Sequence, residues 1–172
     1  MRRFLFTAIV LATALPVSSQ NSVLYDLTTI EGTIEALYQS ISGPEGFEID
    51  RETFDPLFVE NARLSATYFN QEGDQAVVSW TATEYVETIW NGARERGFFE
   101  IETARTVEQF AQIAHVFSTY ESRWNEDDEE PFQRGINSIQ LLNKDGRWWI
   151  VNIFWEGESE DNPIPAQYLP QG

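Results

Sequence analysis

The stretch Gly146–Glu158, "GRWWIVNIFWEGE", decides how the fold is read. Its Trp, Ile, Val and Phe content suits a β-strand, and in a strand successive side chains point to opposite faces. One face then carries Trp149, Val151, Ile153 and Trp155, and the other Trp148, Ile150, Asn152 and Phe154. Neither face is polar. Such a strand needs cover on both sides, which helices on one face of a sheet and a second surface on the other would provide. Asn152 shares its side with Trp148 and Glu156, which favours that side as a pocket face. Trp149 and Trp155 are then expected to anchor an interface.

Working back along the chain, "NKDG" is a hairpin turn that joins this strand to another over 134–143. An acidic loop, "NEDDEEP", precedes that pair. Before it lie two long extended segments, 98–109 and 113–124, with a tight turn near Gln112. The N-terminal half reads differently. Leu27, Ile30, Ile34, Leu37 and Ile41 recur at spacings of three and four, which predicts one helix face, and Gly43-Pro44 stops it. Asp50 is an N-cap for a short second helix carrying Phe54, Leu57 and Phe58. "ARLSATYF" and "QAVVSWT" are strands around the turn "NQEGD". A third helix follows, with Thr81 and Glu84 at capping-box spacing and Gly92 at its end. Helices first and an antiparallel meander afterwards make an α+β domain. A strongly curved antiparallel sheet with about three helices in its concavity forms a cone with an internal pocket. Residues 159–172 form a Pro-rich, irregular tail.

The chain has 172 residues, enough for one domain. "MRRFLFTAIVLATALPVSSQ" has a basic start, a short apolar run, and Val17 and Ser19 as the small residues of a cleavage site. Residues 1–19 are therefore expected to be a signal peptide, 20–158 the folded domain, and the product periplasmic or secreted. Without Arg2 and Arg3, nine basic residues face 28 acidic ones, and Lys144 is the only lysine. That charge repels nucleic acid and anionic lipid, so neither nucleic acid nor, after cleavage, a membrane is expected as a partner. With no cysteine, thiol chemistry and thiolate metal sites are excluded. The 12 Phe, 6 Trp and 6 Tyr ask for a large core, a pocket or an interface.

His115 is the only histidine. On an alternating strand it shares a face with Ile113, Phe117, Thr119 and Glu121. It is either a general base in a pocket or a hydrogen-bonded core or interface histidine. Glu100, Glu102 and Glu108 share one parity of their strand and Phe99, Ile101 and Val107 the other. Either the carboxylates form a wet face, or Glu100 turns into the pocket as an acid or base paired with an arginine such as Arg123 or Arg134. Arg105 breaks the apolar parity. Of Asn137 and Ser138, one faces inward; an inward amide orients a ligand carbonyl or satisfies a neighbouring side chain, and Asn152 raises the same choice. Tyr38, Trp80, Tyr85 and Trp90 sit where helices roof the cone and either line a pocket or pack the core. "NEDDEE" lacks the ligand spacing of a calcium loop and reads as a solvated hairpin loop. There is no phosphate loop, nucleophile elbow or metal-spaced histidine cluster, so no cofactor and no metal is expected.

The element order resembles the nuclear transport factor 2-like superfamily, which includes SnoaL-like and ketosteroid-isomerase-like proteins, over roughly 23–158. "IEALYQSISG", "RGFFEIETARTVEQFAQIAHVFSTYESR" and "RGINSIQLLNKDGRWWIVNIFWEGE" carry the resemblance, the last two being similar to an exported bacterial branch. It implies a cone-shaped fold, a mostly apolar pocket, and homodimers formed through the outer face of the sheet. Ketosteroid-isomerase-like members use an acidic base and an oxyanion hole of tyrosine and protonated carboxyl; no aspartate here takes the base's place, and Tyr38 does not match that tyrosine. The expected function is binding of a small apolar molecule. The alternatives are an acid/base isomerase, lyase or hydratase acting on a carbonyl compound through His115 or a buried glutamate, and a dimeric interaction module without a ligand.

Overall fold

The computed structural model describes residues 25–171, apart from the side chains of Ile89 and Asn91. The signal-peptide expectation for 1–19 lies outside the described residues. Three helices come forward in the chain: α1 (Ile30–Ser40), α2 (Arg51–Phe54) and α3 (Ala82–Arg94). Six strands make one sheet: β1 (Phe58–Phe69), β2 (Gln75–Trp80), β3 (Phe99–Phe110), β4 (Ile113–Arg123), β5 (Gln133–Lys144) and β6 (Arg147–Gly157). Their order is β2-β1-β6-β5-β4-β3.

Local chemistry starts and stops these elements where the residues dictate. Thr29 caps α1 by accepting from the Gly32 amide, and Asp50 caps α2 by accepting from the amides of Glu52 and Thr53. At α3 the Thr81 side chain accepts from the Glu84 amide while the Glu84 carboxylate accepts from the Thr81 amide, the reciprocal pair the spacing predicts. Asp145 and Gly146 both take positive φ, 58° and 79°, the geometry of a two-residue hairpin turn between β5 and β6.

The helices cover one face of the sheet, called inner here. Ile34, Leu37 and Tyr38 of α1, Phe54 of α2 and Trp90 of α3 are buried with Val116, Tyr120, Ile139, Leu141, Trp148, Ile150 and Ile153 from the strands. One pairing differs from the expected antiparallel sheet. β1 runs parallel to β6, from Phe58 opposite Ile150 to Ala66 opposite Trp155. The β1–β2 hairpin, α3 and the meander together supply the long connection that a parallel pair requires.

One register break between β5 and β6 changes the reading of the opening stretch. Leu141 faces Ile150 and Gln140 faces Asn152, so Val151 has no partner. This bulge bends the strand and reverses its alternation. Trp148 and Ile150 point inward before it, Ile153 and Trp155 inward after it; Trp149, Asn152 and Phe154 lie on the outer face. The two apolar faces of the expectation are each half inner and half outer. Helices cover the inner set. On the outer face, the Arg147 guanidinium lies 3.9 Å from the Trp149 ring centre, and Val151 and Phe154 remain exposed. A second bulge, between Glu102 and Ala104 of β3, does the same there: Glu100 and Glu102 point inward and Glu108 outward.

The tail from Ser159 returns to the sheet instead of leaving it. Ile164 is buried, the Tyr168 ring meets Phe117 at 4.8 Å, and the Tyr168 carbonyl accepts from the Thr119 hydroxyl at 2.6 Å. The tail thus covers one end of the outer face.

Candidate functional site

The space between helices and sheet is not filled. A cavity of about 230 Å3 opens there, lined by Leu37, Ile41, Leu64 and Ile153 and by the rings of Phe54, Tyr85, Phe98, Tyr120, Phe132 and Trp155. Among the described residues Glu100 is the single charged one in its wall, beside Ser122, Gln133 and Asn137.

Alternation along unbulged β4 and β5 puts Ser122 and Asn137 on the same inner face as Glu100. Ser122 Oγ donates to Glu100 Oε2 at 3.0 Å, and Asn137 Nδ2 approaches Oε1 at 3.4 Å. The carboxyl is half-buried in the cavity wall. Its desolvation outweighs the two hydrogen bonds that favour the charged form, and its pKa is pushed up to about 7. No arginine relieves it. Arg123 pairs with Glu121 at 2.7 Å, and Arg134 with Glu158 at 3.4 Å, so the arginine partners expected from sequence are engaged elsewhere.

A directed chain of hydrogen bonds continues from Asn137. Its Nδ2 donates to the Tyr38 hydroxyl at 3.0 Å, Tyr38 and Ser118 share a bond of 2.7 Å, and Ser118 Oγ donates to Glu102 Oε1 at 2.5 Å. Since the one Ser118 proton goes to Glu102, Tyr38 is the donor to Ser118. Arg105 Nε closes the chain on Glu102 Oε2 at 2.7 Å. Burial, then the Glu100 charge, raises the Tyr38 hydroxyl well above its ordinary pKa, so it stays protonated and can donate.

Tyr85 and Tyr120 differ from Tyr38. Burial first and the nearby Glu100 charge second push both hydroxyls above the ordinary tyrosine value. No described residue hydrogen-bonds either one, so both are donors available to a ligand in the cavity. Tyr120 can lie flat on β5 only because residue 135 is glycine: a Cβ there would stand 2.5 Å from the Tyr120 hydroxyl and 2.4 Å from the Glu156 carbonyl oxygen.

With this geometry, the chain compares with solved structures alone. No family model matches it, and no curated protein matches it. A protein of unknown function with a cystatin-like fold from Nostoc punctiforme is 14% identical, with a TM-score of 0.58 over 76% of this chain and 90% of that one. An NTF2-like protein of unknown function from Silicibacter pomeroyi is 17% identical, with a TM-score of 0.52 over 75% and 92%. The fold is NTF2-like. Another such neighbour, described as a candidate dehydratase of the NTF2-like family from Streptomyces avermitilis, is 13% identical, with a TM-score of 0.55 over 77% and 96%.

Within this NTF2-like frame the residues singled out in the sequence fall into separate groups. Glu100, Asn137 and Tyr85 meet at the cavity, and Tyr38 stands behind Asn137. Trp155 also lines the cavity, so it is not an anchor of the outer face; the bulge at Val151 turned it inward. The same bulge takes Asn152 out of the pocket, where its Nδ2 donates to Gln140 Oε1 at 2.6 Å. Trp149 stays outside. Trp80 stacks on Trp155 at 6.1 Å without reaching the cavity wall, and Trp90 packs edge-on against Phe47 at 4.5 Å as core. His115 lies on the outer face, with Nε2 at 2.9 Å from Ser138 Oγ and Nδ1 at 3.9 Å from Glu108. The sheet separates it from Glu100, so it cannot act as a base in the inner cavity. Sequence reasoning missed Ser122 and Tyr120. The signal was present: if His115, Phe117, Thr119 and Glu121 share one face of β4, then Ser118, Tyr120 and Ser122 share the other. Among the described residues no group of three or more His, Asp or Glu could hold a metal ion.

Proposed function

We propose that the protein binds a small, largely apolar molecule in the inner cavity, with Glu100 addressing the one polar group of that molecule. The observation that carries this reading is a single carboxyl, held by Ser122 and Asn137, in a wall that is mostly apolar and aromatic. Sites of this kind orient a ligand through few polar groups. At about 230 Å3 the space lies below the roughly 300–1,000 Å3 of drug-sized sites, which suits a single-ring ligand.

A second reading, acid/base catalysis on a carbonyl compound, draws on the Glu100 pKa of about 7, the range where a general base works at neutral pH. Tyr85 and Tyr120 would donate to the carbonyl oxygen. One experiment addresses both. Native mass spectrometry of protein purified from its source is expected to show a bound small molecule. Single-ring ketones in D2O should quench tryptophan emission in the wild type more than in Trp155→Phe, and deuterium gain at their α-carbon marks catalysis. A ligand-free spectrum together with no quenching overturns the binding reading.

The open part of the outer face is proposed to pair with a second copy of the chain. Phe110 and Ile113 there are 80% and 61% exposed, with Val151 beside them, and the tail leaves this end uncovered. Light scattering at micromolar concentration is expected to report a dimer that Ile113→Asp splits. A strict monomer overturns the pairing.

A further inference from the structure

The inner cavity is built against negative charge. Among the described residues its wall contains no Lys, Arg or His, and Glu100 is the one carboxyl in it. The nearest inward cation along β3, Arg105, is already engaged by Glu102. The rings of Phe54, Tyr85, Phe98, Tyr120, Phe132 and Trp155 line it, and an aromatic face carries partial negative charge and attracts cations. A bound anion would meet these faces and Glu100 with no counter-charge. Beside the cavity the balance is acidic, although the Arg96 guanidinium lies 5.3 Å from the Trp124 ring that stacks on Phe132. Phe132 follows the β4–β5 loop, where Glu126, Asp127, Glu129 and Glu130 are exposed, and the chain as a whole carries −17. Such a field concentrates cations and repels anions.

We propose that the ligand of the inner cavity is a small organic cation, a single-ring amine whose ammonium group pairs with Glu100 while its hydrocarbon part lies against the apolar and aromatic lining. The inference rests on the inner cavity being a binding site and names the chemistry of the ligand. Ser122 and Asn137 each take one position, on Oε2 and Oε1 respectively, leaving the second lone pair of each oxygen for an ammonium group. The titratable groups facing Glu100 are Tyr38 from α1, Tyr85 from α3, Tyr120 from β4 and Glu102 from its own strand; the cavity residues of β1, β5 and β6 are uncharged. None is a cation, and burial holds the carboxyl protonated up to about pH 7 when no ligand is bound. A bound ammonium supplies the missing charge and lowers that pKa. Below pH 7, amine binding therefore displaces a proton from Glu100.

The test is calorimetry with three matched probes: 2-phenylethylamine, charged throughout the range used; neutral 2-phenylethanol; and phenylacetate. At pH 8 the amine is expected to bind at least about tenfold more tightly than the alcohol, with no binding of phenylacetate. Its affinity should fall about tenfold from pH 8 to pH 6, because the ionised fraction of Glu100 falls by that factor. About one proton should be released per amine bound at pH 6, read from heats in buffers of different ionisation enthalpy. Glu100→Gln should erase the amine preference and its pH dependence. Alcohol binding as tight as amine binding, tight phenylacetate binding, or an amine affinity flat between pH 6 and pH 8 would overturn the inference while leaving a binding cavity. Failure of all three probes at millimolar concentration would overturn the cavity reading as well.

Discussion

Glu100→Gln is expected to stabilise the protein at pH 8 by about 3 kcal/mol and to change it little at pH 4. The sign follows from the direction of the shift. The folded-state pKa, about 7, stands above the ordinary glutamate value of 4.5. Between those values the folded chain holds more protons than the unfolded one, so stability falls as pH rises through that window and levels off above it. Glutamine has no proton to lose there, and its amide oxygen still accepts from Ser122 or Asn137. The gap between variant and wild type should open from pH 4.5 to 7 in urea titrations of both proteins. A gap that does not vary with pH would refute the raised pKa. The wild type thus keeps a carboxyl that costs stability at neutral pH. Such costs are characteristic of sites kept for a ligand or a reaction.

Phe54→Ala is expected to cost roughly 3–5 kcal/mol, lowering the melting temperature by on the order of 10 °C for a domain of this size. Phe54 is wholly buried although it sits on a helix of only four residues. Its ring packs on Phe58 at 4.8 Å and Tyr85 at 6.5 Å, joining α2, β1 and α3. Removing it enlarges the cavity at the point where Tyr85 is supported, so ligand affinity should fall with stability. A loss below about 1 kcal/mol in urea unfolding would show that the helices close over the gap, and that the cavity wall is softer than its packing indicates.

Much of the architecture is written in short-range chemistry. The three- and four-residue spacing from Ile30 to Leu37, the Asp50 cap, the Thr81–Glu84 reciprocal cap and the Asp145–Gly146 turn each act within a few residues. A reader of the sequence meets all the atoms involved. The site was legible in part for the same reason. A glutamate placed on a strand whose partner face is apolar is a candidate for burial, and an Asn-Ser pair in mid-strand must send one member inward. Glu100 and Asn137 follow from that. Ser122 was legible too, through the unbroken alternation of β4.

What stayed hidden turns on single residues that carry no mark of their role. Val151 and the β3 bulge beside Thr103 are ordinary strand residues, yet each leaves one position unpaired and reverses every side chain beyond it. That is why Trp155 faces the cavity and not the outside, why Asn152 faces the outside and not the cavity, and why Glu108 parts from Glu100 and Glu102. The bulges belong to pairings between strands, and the parallel match of β1 with β6 joins residues some 90 positions apart. By itself the sequence determined the elements, their caps and turns, the acidic field and the supply of aromatic rings, because those depend on composition and near neighbours. Only the tertiary structure decided which rings face the cavity and left Glu100 there without a counter-charge, because inter-strand register and desolvation are properties of surfaces that meet only when the chain is folded.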